Sequence, residues 1–176
     1  MNIKVLQLTL ILLPFSVLSY SQKLPIEYSS ESARSASSGD YNKAIRILDT
    51  AIINHPQYAL FYIDRGRYKS KIKLHKEAIA DYSEAIKIDS NISLAYYYRS
   101  ETKTFLNDLY GALSDLDIYI SRVEKAGISI DLERAFFNRG LLKIRLNKIE
   151  SGCLDLSKAG ELGYSNAYNY IKKYCQ

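Results

Sequence analysis

The chain has 176 residues, with 24 Lys and Arg against 19 Asp and Glu and a formal net charge of +5. So mild an excess, with no clustered Lys/Arg stripe, argues against a nucleic-acid-binding surface and leaves weak attraction to acidic surfaces. Sixteen tyrosines and no tryptophan point to a core whose rings keep a polar tip near water.

The first element is a leader. Lys4 precedes a mostly apolar run from Val5 to Leu18, and Ser19-Tyr20-Ser21 then supplies small residues at the −3 and −1 positions of a cleavage site. One charge, a hydrophobic run and small residues describe a secretory signal peptide over residues 1–21. The rival is a membrane anchor, but the run is 14 residues and contains Pro14, short for a span that needs ~20. Removing residues 1–21 takes away Lys4, leaving 155 residues of net charge +4, a length that suits one domain. The expected location is outside the cytoplasm, periplasmic or extracellular.

From there the pattern is helical throughout. Paired helices are expected over about 27–38 with 41–54, 57–73 with 75–88, 91–106 with 109–125, and 132–146 with 149–162, and a last helix over about 165–175. Gly39-Asp40, His55-Pro56, Ser90-Asn91, Asn107-Asp108 and Gly163 mark the turns. The Ser29–Ser38 stretch is rich in small polar residues and reads as a weakly stable first helix.

A pattern returns within these pairs. Ala44-Ile45, Ala78-Ile79 and Ala112-Leu113 are spaced by 34 residues. Leu48, Tyr82 and Leu116 follow four positions later, and Ala51, Ala85 and Tyr119 seven positions later, which places each set on one helical face. Upstream runs a second signature: Tyr62-x-x-Arg65-Gly66-x-x-Lys69, then Tyr96-x-x-Arg99-Ser100-x-x-Lys103, then Phe136-x-x-Arg139-Gly140-x-x-Lys143. Gly152 stands in the fourth copy where the alanine belongs. Arg99 and Arg139 are 40 apart, so about six extra residues separate the third and fourth copies, most naturally at Gly127–Leu132. A fixed period in this range marks stacked units, none of which can bury its apolar face alone.

These residues resemble the tetratricopeptide repeat family over roughly residues 25–163. Pro56 fills the family's closing proline once, whereas Ser90, Glu124 and Tyr164 stand there in later copies. The resemblance implies an all-α, right-handed superhelical solenoid of about four helix-turn-helix repeats plus a C-terminal capping helix. The units fall at about 25–58, 59–92, 93–126 and 133–163, with the capping helix at about 165–175, within one domain of residues 22–176. It also implies a scaffold that binds a protein or peptide segment in a concave groove lined by the first helix of each pair. Carried onto this chain, the groove positions are Ile63 and Arg67, Tyr97 and Glu101, and Phe137 and Leu141, with Lys71 and Phe105 one turn beyond. The Lys and Asn pattern that holds a chain-terminal carboxylate in one subgroup is absent. The groove therefore reads as apolar and aromatic, with one positive and one negative residue, unless the last helix or the degenerate first repeat covers part of it.

No catalytic constellation accompanies this scaffold. His55 and His75 stand in no zinc-binding cluster, and the sequence contains no Gly-rich phosphate loop and no Gly-x-Ser-x-Gly elbow. Asn91-Ile92-Ser93 matches a glycosylation sequon but reads better as a turn entering a helix. Arg65, Arg99 and Arg139 each precede an acid, Asp81, Asp115 and Asp155, by sixteen residues; repetition in every unit favours a structural ion pair over chemistry. The expected function is therefore a protein-binding adaptor without cofactor or metal. The alternatives are a structural subunit of an envelope complex held by its convex face, and an accessory subunit of an enzyme.

Cys153 and Cys175 close the chain. An even cysteine count in an exported protein favours a bridge, and antiparallel helices turning at Gly163 would bring the two to about the same level. The segment from Gly152 to Gly163 with Tyr174-Cys175 also looks like the closing segment of secreted bacterial repeat proteins of this family. A Cys153–Cys175 disulfide is expected; the alternative is two small buried side chains that never pair.

Overall fold

The computed structural model describes residues 23–127 and 131–175, so the expected signal peptide lies outside the described residues. Among them there are nine α-helices and no strands: α1 (Pro25–Ser37), α2 (Tyr41–Asn54), α3 (Ala59–Lys71), α4 (His75–Ile88), α5 (Ser93–Phe105), α6 (Leu109–Lys125), α7 (Leu132–Arg145), α8 (Ile149–Glu161) and α9 (Ala167–Tyr174). Each packs chiefly on its neighbours in sequence, and α3 also touches α5, the first helix of the next pair. This is the all-α stack of hairpins that the period implies. No described helix is long and apolar enough to cross a membrane.

The first helix of each pair ends by the same device. Gly39, Lys73, Asn107 and Asn147 hold φ of 84°, 66°, 61° and 60°, the left-handed conformation that turns a chain out of a helix. After α3, the Lys73 amide donates to the Ser70 carbonyl and the Leu74 amide to the Lys69 carbonyl. The same two bonds recur after α1, α5 and α7. Asp40 and Asp108 then start α2 and α6 by accepting from the Lys43 and Gly111 amides, satisfying donors that a helix start leaves open.

The repeating alanines form the seam. Ala44, Ala78 and Ala112 have no exposed surface, and the large residues four positions on, Leu48, Tyr82 and Leu116, fill the adjoining core at 1% exposure or less. The first repeat packs against the second. Tyr28 is buried, its hydroxyl accepts from the Asn54 amide, and Ser32 and Ser35 lie buried with their hydroxyls donating to carbonyls of their own helix. The helix starts at Pro25, earlier than expected, because proline's fixed φ suits a first helical position.

The recurring charges are structural and more elaborate than pairs. Arg65 donates through Nε and Nη2 to Asp81 at 3.0 and 2.7 Å, and Lys69 reaches the same carboxylate at 2.8 Å. Arg99 and Lys103 hold Asp115 likewise, as Arg139 and Lys143 hold Asp155. The remaining Nη1 of each arginine turns back to the preceding pair, to Asp49, Ser83 and Asp117. Each guanidinium also lies over the ring three residues before it: Tyr62, Tyr96 and Phe136. One arginine thus ties its own helix, its partner helix and the preceding repeat.

The extra length before the fourth repeat begins within α6. It runs to Lys125, as its expected range of 109–125 has it, whereas the equivalent α4 stops at Ile88. The added turn buries Val123 in one core cluster with Leu132, and that burial holds the helix together past its usual end.

Candidate partner-binding groove

A groove of about 880 Å³ runs along the inner helices, lined mainly from α3, α5 and α7. Its wall residues follow a helical stripe. On α7 they are Arg134, Asn138, Leu141 and Arg145, on α5 Tyr98, Glu101 and Phe105, and on α3 Arg67 and Lys71. Intervals of three and four residues place each set on one face. Lys73 and His75 add to the α3 end.

Five expected residues line this groove: Arg67, Glu101 and Leu141, with Lys71 and Phe105 one turn beyond. The other three lie in the core. Ile63 is 4% exposed and clusters with Ala59, Ala85 and Ala95. Tyr97 is 3% exposed, with its ring 5.0 Å from that of Tyr119 on α6. Phe137 is covered by Tyr164 and by Tyr170 of α9, at 4.6 and 5.1 Å between centroids. The capping helix therefore closes one end of the inner surface, the alternative the sequence left open. On all three helices the position directly after the repeat's aromatic residue is buried, at Phe137 beneath α9 as well, and on α5 and α7 the wall position lies one residue further on, at Tyr98 and Asn138.

The inner surface is also more charged than expected. Arg67, Lys71, Lys73, Arg134 and Arg145 line it against one carboxylate, Glu101. Arg67 lies over the Tyr98 ring at 5.0 Å and pairs with Asp64 at 3.1 Å. The Tyr98 ring stacks in turn on Tyr82. Phe105 is 71% exposed and stacks on His75, with centroids 5.1 Å apart. Burial raises the Glu101 carboxyl above its ordinary range, with a hydrogen bond to Tyr97 and the charges of Arg134 and Lys71 opposing it. Burial, reinforced by the Glu101 charge, raises the Tyr97 phenol. Tyr97 thus acts beneath the floor, its hydroxyl also accepting from the Asn138 amide at 3.4 Å. The expected Cys153–Cys175 bond is present, with Cα atoms 5.8 Å apart, and ties α8 to the end of α9.

No family model matches the chain, and no curated protein does. Solved structures do. The chain is similar to MamA, residues 41 to the end, from Desulfovibrio magneticus RS-1 (19% identity, TM-score 0.70, covering 79% of this chain and 75% of that one). It is similar to the TPR2B domain of yeast Sti1 in complex with pHsp70 (21%, 0.66, 69% and 97%). It is also similar to PcrH in complex with the chaperone binding region of PopD (17%, 0.64, 68% and 91%). The fold is that of the tetratricopeptide repeat proteins.

Proposed function

We propose that the protein is an exported adaptor that takes a segment of a partner protein into the groove along α3, α5 and α7. The observation that carries this reading is the groove itself. It presents an unburied Phe105, aliphatic surface at Leu141 and cationic side chains on rigid helices, the mixture by which a preformed surface holds a chain. The Sti1 domain and PcrH, similar in fold, were each solved with a protein ligand, which supports binding rather than catalysis as the class. The apolar leader of residues 5–18 and the disulfide together support a periplasmic or extracellular place of work, where thiols oxidise.

A second reading keeps one observation. Ile53, Tyr110 and Leu154 are 80%, 68% and 72% exposed on the outer helices α2, α6 and α8, so a structural subunit held by its outer face would use them. Crosslinking followed by pull-down from the native envelope separates the two. Phe105→Ala with Lys71→Ala should reduce partner recovery about tenfold, the loss of ~1–2 kcal/mol expected for an aromatic anchor and a charge. Ile53→Ala with Leu154→Ala should leave recovery unchanged. The reverse pattern favours the outer face and overturns the groove reading.

A further inference from the structure

Six of the chain's basic side chains are committed inside the scaffold. Arg65, Lys69, Arg99, Lys103, Arg139 and Lys143 are all held by buried aspartates. Apart from Arg67, which pairs with Asp64 at 3.1 Å, the groove cations are not. Lys71 and Lys73 make no ion pair among the described residues, and Arg145 meets only the neutral Asn107 side-chain carbonyl. Arg134 reaches Glu101 and Asp131 only at 3.9 and 3.6 Å. Unneutralised cations gathered in a concavity raise its potential and attract anions. They stand in two banks: Lys71 and Lys73 at the α3 end, Arg134 and Arg145 on α7. Between them α5 contributes an apolar surface at Phe105.

We infer that the occupant of this groove is an acidic, internal polypeptide segment, with carboxylate side chains on both flanks and an apolar side chain between them. The inference rests on the groove being the binding surface. Charge complementarity selects an anion, and division of the charge between two helices fits a row of side chains better than a single chain-terminal carboxylate. A nucleic acid fits less well. Arg67 and Tyr82 already cover the Tyr98 ring and His75 covers a face of Phe105, so these rings offer little stacking surface, and Glu101 would sit against phosphates. A flat anionic membrane matches a concave lining less well than a chain that can follow it.

Fluorescence anisotropy with end-capped peptides tests this, using the disulfide-bonded protein. The probes are one sequence of Leu and Phe spaced by Asp and Glu, its Asn/Gln version and its Lys/Arg version. Oligouridylate and phosphatidylglycerol vesicles serve as competing anions. The acidic peptide should bind about tenfold tighter than the amide peptide and weaken as salt rises. Lys71→Glu, Lys73→Glu and Arg145→Glu together should abolish that preference. The same charge change at exposed Lys43, Lys125 and Lys172 should preserve it. Glu101→Gln, which removes the one groove carboxylate, should tighten acidic binding. If the acidic and amide peptides bind equally and Phe105→Ala weakens both, the groove reading stands and the acidic inference falls. Acidic binding that survives both the groove charge swap and Phe105→Ala overturns both, as does the absence of binding by any peptide. Tighter, groove-dependent binding of oligouridylate or vesicles overturns the inference in favour of that class.

Discussion

Asp115 is 2% exposed and accepts from three cationic donors, Arg99 Nε and Nη2 and Lys103 Nζ, all within 2.9 Å. A buried carboxylate is tolerable only when so compensated, and compensation runs both ways. Asp115→Ala should therefore leave Arg99 and Lys103 charged and half-buried, destabilising the protein by about 3–5 kcal/mol. Removing the exposed Asp117, a 53%-exposed partner of Arg139, should change stability by about 1 kcal/mol or less. Urea unfolding of the two variants checks this; equal effects would show that burial does not set the strength of these contacts. The arginine–aspartate interval of sixteen residues was legible because it recurs with the period. The backward bonds to Asp49, Ser83 and Asp117 were not, since they join different repeats through residues of different type. The wall of the groove was half legible for a related reason. Tyr96, Tyr97 and Tyr98 are consecutive and all apolar enough to be buried, so the sequence alone does not say which ring turns inward. Only the contacts with Tyr119 and Arg67 separate Tyr97 from Tyr98.

At the scale of the element, the α7–α8 hairpin departs from its repeat where its two helices meet. Gly140 and Gly152 face each other there, and a Cβ on Gly152 would stand 2.9 Å from the Gly140 carbonyl oxygen and 2.7 Å from Ile144. Ser100 and Ala112 hold the corresponding positions in the α5–α6 hairpin, so the fourth hairpin has exchanged side-chain volume for backbone approach. Gly152→Ala would restore the repeat's own alanine and, in an isolated helix, would stabilise by up to ~1 kcal/mol. In this hairpin the backbone oxygen cannot swing aside as a side chain can, and overpacking of that kind costs about 1–3 kcal/mol. The variant is expected to melt at a lower temperature than the parent despite its better match to the pattern. A higher melting temperature would mean that α7 and α8 can separate freely. Helix pairs and turns could be read from the sequence because the period, the alanines and the left-handed turn residues all agree. The longer α6 was legible as well, expected over 109–125, and the burial of Val123 in one cluster with Leu132 gives the physical reason for its length.

At the scale of the molecule, a stack in which each hairpin touches mainly its neighbours has two exposed ends, and each needs a cap. The N-terminal end is closed by the serine-rich α1. The C-terminal end is closed by α9, eight residues whose only fully buried side chain is Ala167. So short a helix is marginal alone, and the Cys153–Cys175 bond, spanning 22 residues, supplies what its small core does not. On the chain-entropy model, closing such a loop stabilises by ~3 kcal/mol. Coupling in a stack is local, so reduction should loosen α9 first. That would withdraw Tyr170 from Phe137 and leave the triads of Asp81 and Asp115 in place. Hydrogen exchange under reducing conditions should accordingly rise over 165–175 before it rises over α3–α6. The exported protein should also have the intact mass of residues 22–176 with both thiols oxidised, and its denatured, unreduced form should take up no thiol label. Two labelled cysteines per chain would remove the staple from this account, and a full-length mass in the membrane fraction would reverse the export proposal. Uniform exchange along the stack after reduction would show instead that the hairpins melt as one unit.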